Sequence, residues 1–275
     1  MNIREFIKVP EDHELESHDG IHTITSAEFN KQLRSFLDRF TEIQIKENNY
    51  RLPFHLYENF PEVDINELAS ETFTRKQDLI TLKEYFSKYL NSKTHVLEIG
   101  GWNGWLTNYL SKTNAIVITA DIFDDEYNGL GSKKHFSSAN WLSIQTDVLQ
   151  TEMYATQFDM IVFNHCLQFY TDPVQLIEKY KRLLKKNGIL LILGNTFYKS
   201  VAVKESEITT TNAYFKERYE FNIRFYPSKG YFSYEDLDQF SKNSFKFISY
   251  KFSVPGLIKK FLKKEKSGIL YFINS

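Results

Sequence analysis

Three carboxylates, one histidine and a glycine-rich turn are the residues of this sequence whose types and spacing could do chemistry. Over His95–Thr107 (HVLEIGGWNGWLT) an apolar run ends in Glu98, passes through Gly100-Gly101-Trp102-Asn103-Gly104 and enters a helical pattern. Glycines at such a point let the backbone turn sharply and come close to a ligand. A strand, a tight turn and a helix in that order make a cradle for a nucleotide-like molecule. Asp121 and Asp147 close two further apolar runs, AIVITAD and WLSIQTD. All three acids then face one crevice. His165 follows a fourth run, FDMIVFN, where a side chain that exchanges a proton near neutrality (unperturbed pKa about 6.5) could serve as a base. The competing reading of His165 is a histidine packed under its loop.

Glu98 selects among ligands. A carboxylate at the strand end opposes a pyrophosphate but suits a cationic head such as that of S-adenosylmethionine. The turn also departs from the dinucleotide spacing G-x-G-x-x-G, because Trp102 stands where the middle glycine belongs. The alternative is a plain structural turn. A carboxylate at Asp121 can accept from both ribose hydroxyls. One at Asp147 can accept an adenine amino group or cap a helix. Asp172 precedes Pro173 and a helical pattern, which makes it an N-cap. Tyr198, Tyr226 and Tyr231 are candidates for the wall of an acceptor pocket or ordinary surface aromatics, and Asp124–Gly131 (DDEYNGLG) reads as a loop over the ribose or as an acidic surface loop.

The elements that must hold these residues divide the chain in three. Over residues 1–90 the spacing predicts a helix after Ser26, with Phe29, Leu33, Phe36, Leu37 and Phe40 on one stripe, and a second from about Thr74 to Leu90. The Pro-broken Tyr50–Pro61 stretch connects them, and this part reads as a helical cap. Residues 94–195 alternate short apolar runs with helical patterns at Trp105–Lys112 and Asp172–Lys186, the signature of a doubly wound parallel sheet. Ligands of such sheets lie at the carboxyl ends of the strands. After an aromatic-rich insertion at about 196–232, a helix near Tyr234–Phe240 and the runs FKFISYKFS and GILYFIN suit a closing antiparallel hairpin. The segment LIKKFLKKEK (Leu257–Lys266) is basic and amphipathic, and reads as a solvated helix packed on the sheet or as a membrane or nucleic-acid patch.

Composition narrows the classes. Across 275 residues the net charge is −1, so no global field favours nucleic acid, and none is expected as a partner. The single cysteine, Cys166, rules out an internal disulfide and a cysteine-cluster metal site, and no metal is expected. No window reaches the length of a membrane span, and no signal-peptide core opens the chain; a cytoplasmic protein acting on a small molecule is the expectation.

Over Thr94–Asn195 the order of strand-end acid, glycine turn, second-strand acid, third-strand acid and the block FDMIVFNHCLQFYTDP…LLKKNGILLIL resembles the class I S-adenosylmethionine-dependent methyltransferase superfamily. The stretches EIGGWNGWL and ADIFDDEYNGLG look like an uncharacterised bacterial subgroup of it. The resemblance implies a mostly parallel, seven-stranded α/β sheet in a domain spanning 91–275, with S-adenosylmethionine as cofactor. It implies cofactor contacts at Glu98, Gly100, Gly104, Asp121 and Asp147 and near Asn164; their neighbours Gly101, Trp102, Ile122 and Val148 are expected in the same cofactor site, and position just past the fourth strand makes His165 and Tyr170 the catalytic candidates. Two positions depart from the pattern: Trp102 replaces a usual glycine, and Gln168 stands where relatives often carry a histidine. A non-catalytic module of the same fold and a NAD-dependent oxidoreductase are the alternatives.

Overall fold

The computed structural model describes residues 3–11, 13–48, 52–63, 69–154, 157–251 and 265–274. Its strands are β1 (Ile7–Lys8), β2 (His13–His18), β3 (Ile21–Ser26), β4 (His95–Ile99), β5 (Ile116–Asp121), β6 (Leu142–Thr146), β7 (Glu152–Met153), β8 (Phe158–Asn164), β9 (Leu184–Tyr198), β10 (Phe232–Ser233), β11 (Lys246–Ser249) and β12 (Glu265–Ile273). The helices are α1 (Ala27–Lys46), α2 (Ala69–Thr81), α3 (Trp105–Ser111), α4 (Pro173–Lys181), α5 (Ala202–Tyr219) and α6 (Tyr234–Lys242).

The central sheet runs β11-β12-β9-β8-β4-β5-β6-β3-β2, with β10 pairing the end of β9. The pairs from β6 to β9 are parallel. Strand β12 inserts antiparallel between β9 and β11, the expected closing hairpin. The parallel strands are buried on both faces, which is why they read as continuous apolar runs rather than alternating ones. One apolar layer holds Leu176, Ile177 and Tyr180 of α4 with Leu237 and Phe240 of α6; the other holds Leu79, Leu82 and Phe86 with Trp105, Leu106 and Leu110 of α3. Helices cover both faces, so the sheet is doubly wound.

The seven strands β6-β5-β4-β8-β9-β12-β11 make the expected sheet, and the count is exceeded at one edge. There β3 pairs parallel to β6 and carries β2 with it as a hairpin. The first ninety residues are therefore not wholly helical. The turn is Asp19-Gly20, both with positive φ (49° and 76°), the backbone of a type I′ hairpin. The Asp-Gly pair was the signal available for it. The flanking HELESH is polar because β2 is an exposed edge strand, which hid it from a reading based on apolar runs.

Ser26 caps α1 by accepting from the Phe29 N–H at 3.2 Å. Asp172 caps α4, accepting from Gln175 N–H at 2.9 Å. The expected helix from Thr74 breaks at Leu82 into a π turn (Leu82–Phe86) and a 3₁₀ turn (Ser87–Tyr89). Helix α1 lies over the carboxyl end of β5, where Leu33 and Leu37 meet Ile122 and where Phe36 packs on Phe123, Phe221 and Phe225. Its far end packs on α5 through Ile43, Phe215 and Tyr219. Part of the amino-terminal segment and the insertion thus jointly roof the edge of the sheet at which the strand-end acids emerge. The basic segment Leu257–Lys266 lies mostly outside the described residues.

Candidate functional site

A cleft of about 850 Å³, measured to its open mouth, lies across the carboxyl ends of β4, β5 and β8. Gly100, Trp102, Asp121, Ile122, Asn164, His165 and Tyr170 line it, so seven of the residues singled out in the sequence as cofactor or catalytic candidates meet in one place. Arg75, Trp105, Phe123, Phe169 and Tyr226 complete the wall, with Cys166 beside Gly100.

The glycine turn is shaped by neighbours as well as by its own freedom. Gly100 has φ 82°, and a Cβ there would stand 2.8 Å from the Cys166 side chain and 2.9 Å from the Asn164 carbonyl oxygen. Trp102 holds φ 42°, uncommon for so large a residue, and its N–H donates to Asp121 Oδ2 at 3.0 Å. Its indole carries the Arg75 guanidinium at 4.2 Å. The tryptophan in the glycine position therefore ties α2 to the turn.

Asp121 also accepts from Ile122 N–H (2.7 Å) and Phe123 N–H (3.1 Å). Burial raises its carboxyl to about 6, opposed by those three backbone donors. Glu98 does not line the cleft but lies beneath it, fully buried. Its Oε2 accepts from the Thr107 hydroxyl and its Oε1 from Asn164 Nδ2 at 2.8 Å. Burial pushes Glu98 up to about 8 despite those bonds. Because Asn164 turns its amino group to Glu98, its Oδ1 points the other way; that oxygen is buried and has no hydrogen-bond partner among the described residues.

Gly101 and Gly104 face a second, small hollow against Thr119, Leu130 and Ser132. Asp147 and Val148 are also set apart from the cleft. Asp147 Oδ1 accepts from Leu149 N–H at 2.9 Å and from the Tyr226 hydroxyl at 2.7 Å, and the Tyr226 ring stands between Asp147 and the cleft, against Tyr170 at 5.4 Å. The sequence reading had Tyr226 only as one of several pocket aromatics; the aspartate it covers is 79 positions away. Burial holds the Tyr170 and Tyr226 hydroxyls well above the usual phenol range, so both stay protonated and can only donate or shape the wall.

His165 sits at φ 55° and its ring lies flat on Gly194, where a Cβ would come within 2.2 Å of Nδ1. Its Nε2 is 2.6 Å from Asp78 Oδ2. Asp78 and Arg75 are the residues that sequence reasoning missed. A signal existed: Arg75, Asp78, Leu79 and Leu82 fall at i, i+3, i+4 and i+7, so two charges ride the buried stripe of α2.

Residues 97–192 match the family described as "Methyltransferase domain". Over 126 residues the chain is 30% identical to a ubiquinone biosynthesis O-methyltransferase of Histophilus somni, covering 42% of this chain and 53% of that protein. Over 167 residues it is 26% identical to a malonyl-[acyl-carrier protein] O-methyltransferase of Halalkalibacterium halodurans, covering 58% and 59% respectively. The chain thus spans little more than half the length of the curated relatives it matches. Magnesium protoporphyrin IX methyltransferase of Synechocystis, solved with S-adenosylhomocysteine, shares the fold: TM-score 0.52, 13% identity, 89% of this chain and 100% of that one covered.

A doubly wound sheet with a glycine-turn cleft at its carboxyl edge is the architecture of a Rossmann-like nucleotide-binding domain. Residues 97–192 of this architecture match a methyltransferase domain, a class of domain whose cofactor is S-adenosylmethionine. The cleft fits that molecule on three counts. Asn164 Oδ1 is an unmatched buried acceptor for an ammonium. Asp121 keeps acceptor capacity for a hydroxyl. Gly100 leaves the space that a Cβ would fill.

Proposed function

We propose that this protein transfers the methyl group of S-adenosylmethionine to a small-molecule acceptor bound in the cleft between Trp102 and Tyr170. The observation that carries the reading is the arrangement of one continuous wall. A hydroxyl acceptor, Asp121, and an ammonium acceptor, Asn164, sit beside a proton acceptor, His165. We further read residues 91–275 as the catalytic domain and the first ninety as its cover.

When bound, the cofactor supplies a methyl group on a sulfonium, whose leaving group is already good. The protein's share is position and exclusion of water. Asp121 holds the ribose. Asn164, fixed by Glu98, directs its carbonyl oxygen at the methionine head. Trp102, Phe123, Phe169, Tyr170 and Tyr226 give the cleft apolar walls for an organic acceptor. His165 takes a proton where the acceptor must lose one.

Calorimetric titration with S-adenosylmethionine, S-adenosylhomocysteine and NAD tests this, with Asp121→Asn as control. Micromolar binding of the first two, weakened at least tenfold in the variant and absent for NAD, is the expected result. Binding of NAD alone would overturn the reading.

A further inference from the structure

Asp147 is the strand-end acid that the sequence offers to an adenine amino group, and the structure withholds it. It is buried, stands outside the cleft, and gives its Oδ1 to two donors at once, Leu149 N–H at 2.9 Å and the Tyr226 hydroxyl at 2.7 Å. Tyr226 is itself firmly placed. Phe225 beside it packs edge-on against Phe29 at 5.4 Å and Phe36 at 5.2 Å, both on α1. On the other side the Thr171 hydroxyl donates to the Pro227 carbonyl at 2.8 Å, and Gly230 N–H donates to the Gln168 carbonyl at 3.2 Å. The insertion is therefore pinned to the roof helix and to the turn after β8, with Tyr226 between the two pins. Held there by a buried carboxylate as well, it is a fixed wall of the cleft rather than a movable one.

At the Asp121 end of the cleft the walls are Ile122, Phe123 and Tyr226, which share one apolar cluster. They offer apolar contact to a planar ring, and the one polar side-chain atom among them, the Tyr226 hydroxyl, is committed to Asp147. We infer that Tyr226 takes the place of Asp147 as the partner of the cofactor's base and sets its specificity: the site packs a purine ring without reading its amino group, and so accepts a cofactor with hypoxanthine in place of adenine almost as well. This rests on the methyl-transfer reading, in which Asp121 holds the ribose that carries the base, and deepens it. Stacking tolerates a change of base because every base has a π face. Strong discrimination needs buried polar groups that the wrong ligand would leave unpaired. Here the carboxylate and the hydroxyl already pair with each other. A hydrogen bond from the amino group to an ionised carboxylate would favour adenine by roughly ten- to a hundredfold, and that bond is the one Tyr226 takes.

Calorimetric titration of the full chain with S-adenosylhomocysteine and with S-inosylhomocysteine, in which an oxo group replaces the amino group of the base, reads the preference as a ratio of two Kd values. The wild type is expected to favour the adenine compound by less than about tenfold. Asp147→Asn should leave that ratio within about threefold of the wild-type value, and so should Tyr226→Phe, which keeps the ring over the carboxylate. Tyr226→Ala uncovers Asp147. It should weaken both compounds, because the stacking surface is lost, yet raise the ratio above about tenfold, a change that general loosening of the cleft would not produce. A wild-type preference of about tenfold or more would overturn the inference, and its collapse in Asp147→Asn would show that Asp147 reads the base after all. A ratio in folded Tyr226→Ala no higher than that of the wild type would overturn it too; if that variant does not fold, the wild-type and Asp147→Asn ratios decide. Failure of the wild type to bind either compound would instead sink the methyl-transfer reading.

Discussion

Replacing Glu98 with glutamine should stabilise the cofactor-free protein, by an amount that grows with pH. The carboxyl is fully buried and sits at about 8 against an ordinary value of 4.5. A group raised in the folded state contributes its full share below its unfolded pKa, where both states hold the proton. As pH rises through 4.5 the unfolded chain releases the proton while the folded chain keeps it, and stability is lost until about pH 8. Linkage sets a ceiling on the loss of about 1 kcal/mol at pH 5, about 3 at pH 7 and about 4 at pH 8, and about half of that is a fair expectation. The amide oxygen of the Glu98→Gln variant would still accept from Asn164 Nδ2, and the amide would never titrate. Urea unfolding at constant ionic strength, at pH 5, 7 and 8, reads the difference. Midpoints of the two proteins that converge near pH 5 and separate in favour of Glu98→Gln at pH 8 are expected. A gap independent of pH, or one that favours the wild type increasingly with pH, would refute the reasoning, because it would mean that Glu98 is a well-solvated or ion-paired carboxylate.

The remaining predictions concern the same cleft and its supports. S-adenosylmethionine binding should tighten between pH 5.5 and 7.5, because Asp121, raised to about 6 in the empty cleft, accepts the ribose hydroxyls in its ionised form; calorimetry across that range checks it, and a flat profile counts against Asp121 as the ribose partner. Gly194→Ala places a Cβ 2.2 Å from His165 Nδ1 at a backbone φ of 72° and should cost about 2 kcal/mol or more in urea unfolding while displacing the His165 ring resonances. Asp172→Ala removes the α4 cap and should cost about 1 kcal/mol, seen as a lower Tm with cofactor affinity unchanged.

Much of this architecture was readable from local spacing. The five parallel strands from Thr94 onward, the caps at Ser26 and Asp172 and the closing hairpin follow from runs and residue types a few positions apart. The hairpin at Asp19-Gly20 was missed because an exposed edge strand carries no apolar run, although its turn dipeptide was in view. The break of α2 into a π turn at Leu82 has no residue-level signature such as proline or glycine; Leu82 and Phe86 are buried there in one apolar cluster with Tyr57 and Phe60.

The sequence by itself determined that a glycine turn, three strand-end acids and a histidine would gather at one edge of a parallel sheet, because strand ends are set by local pattern and crossovers are right-handed. It could not say which of them would face the ligand. Glu98 drops beneath the cleft and acts on Asn164, while Asp147 is covered by Tyr226, from a distant insertion. Asp78 meets His165 across 87 positions. Such meetings depend on how a helix or loop lies across the sheet, which many side chains fix together and no short stretch of sequence encodes. The tertiary structure alone therefore decided that a helix of the first ninety residues reaches the chemistry.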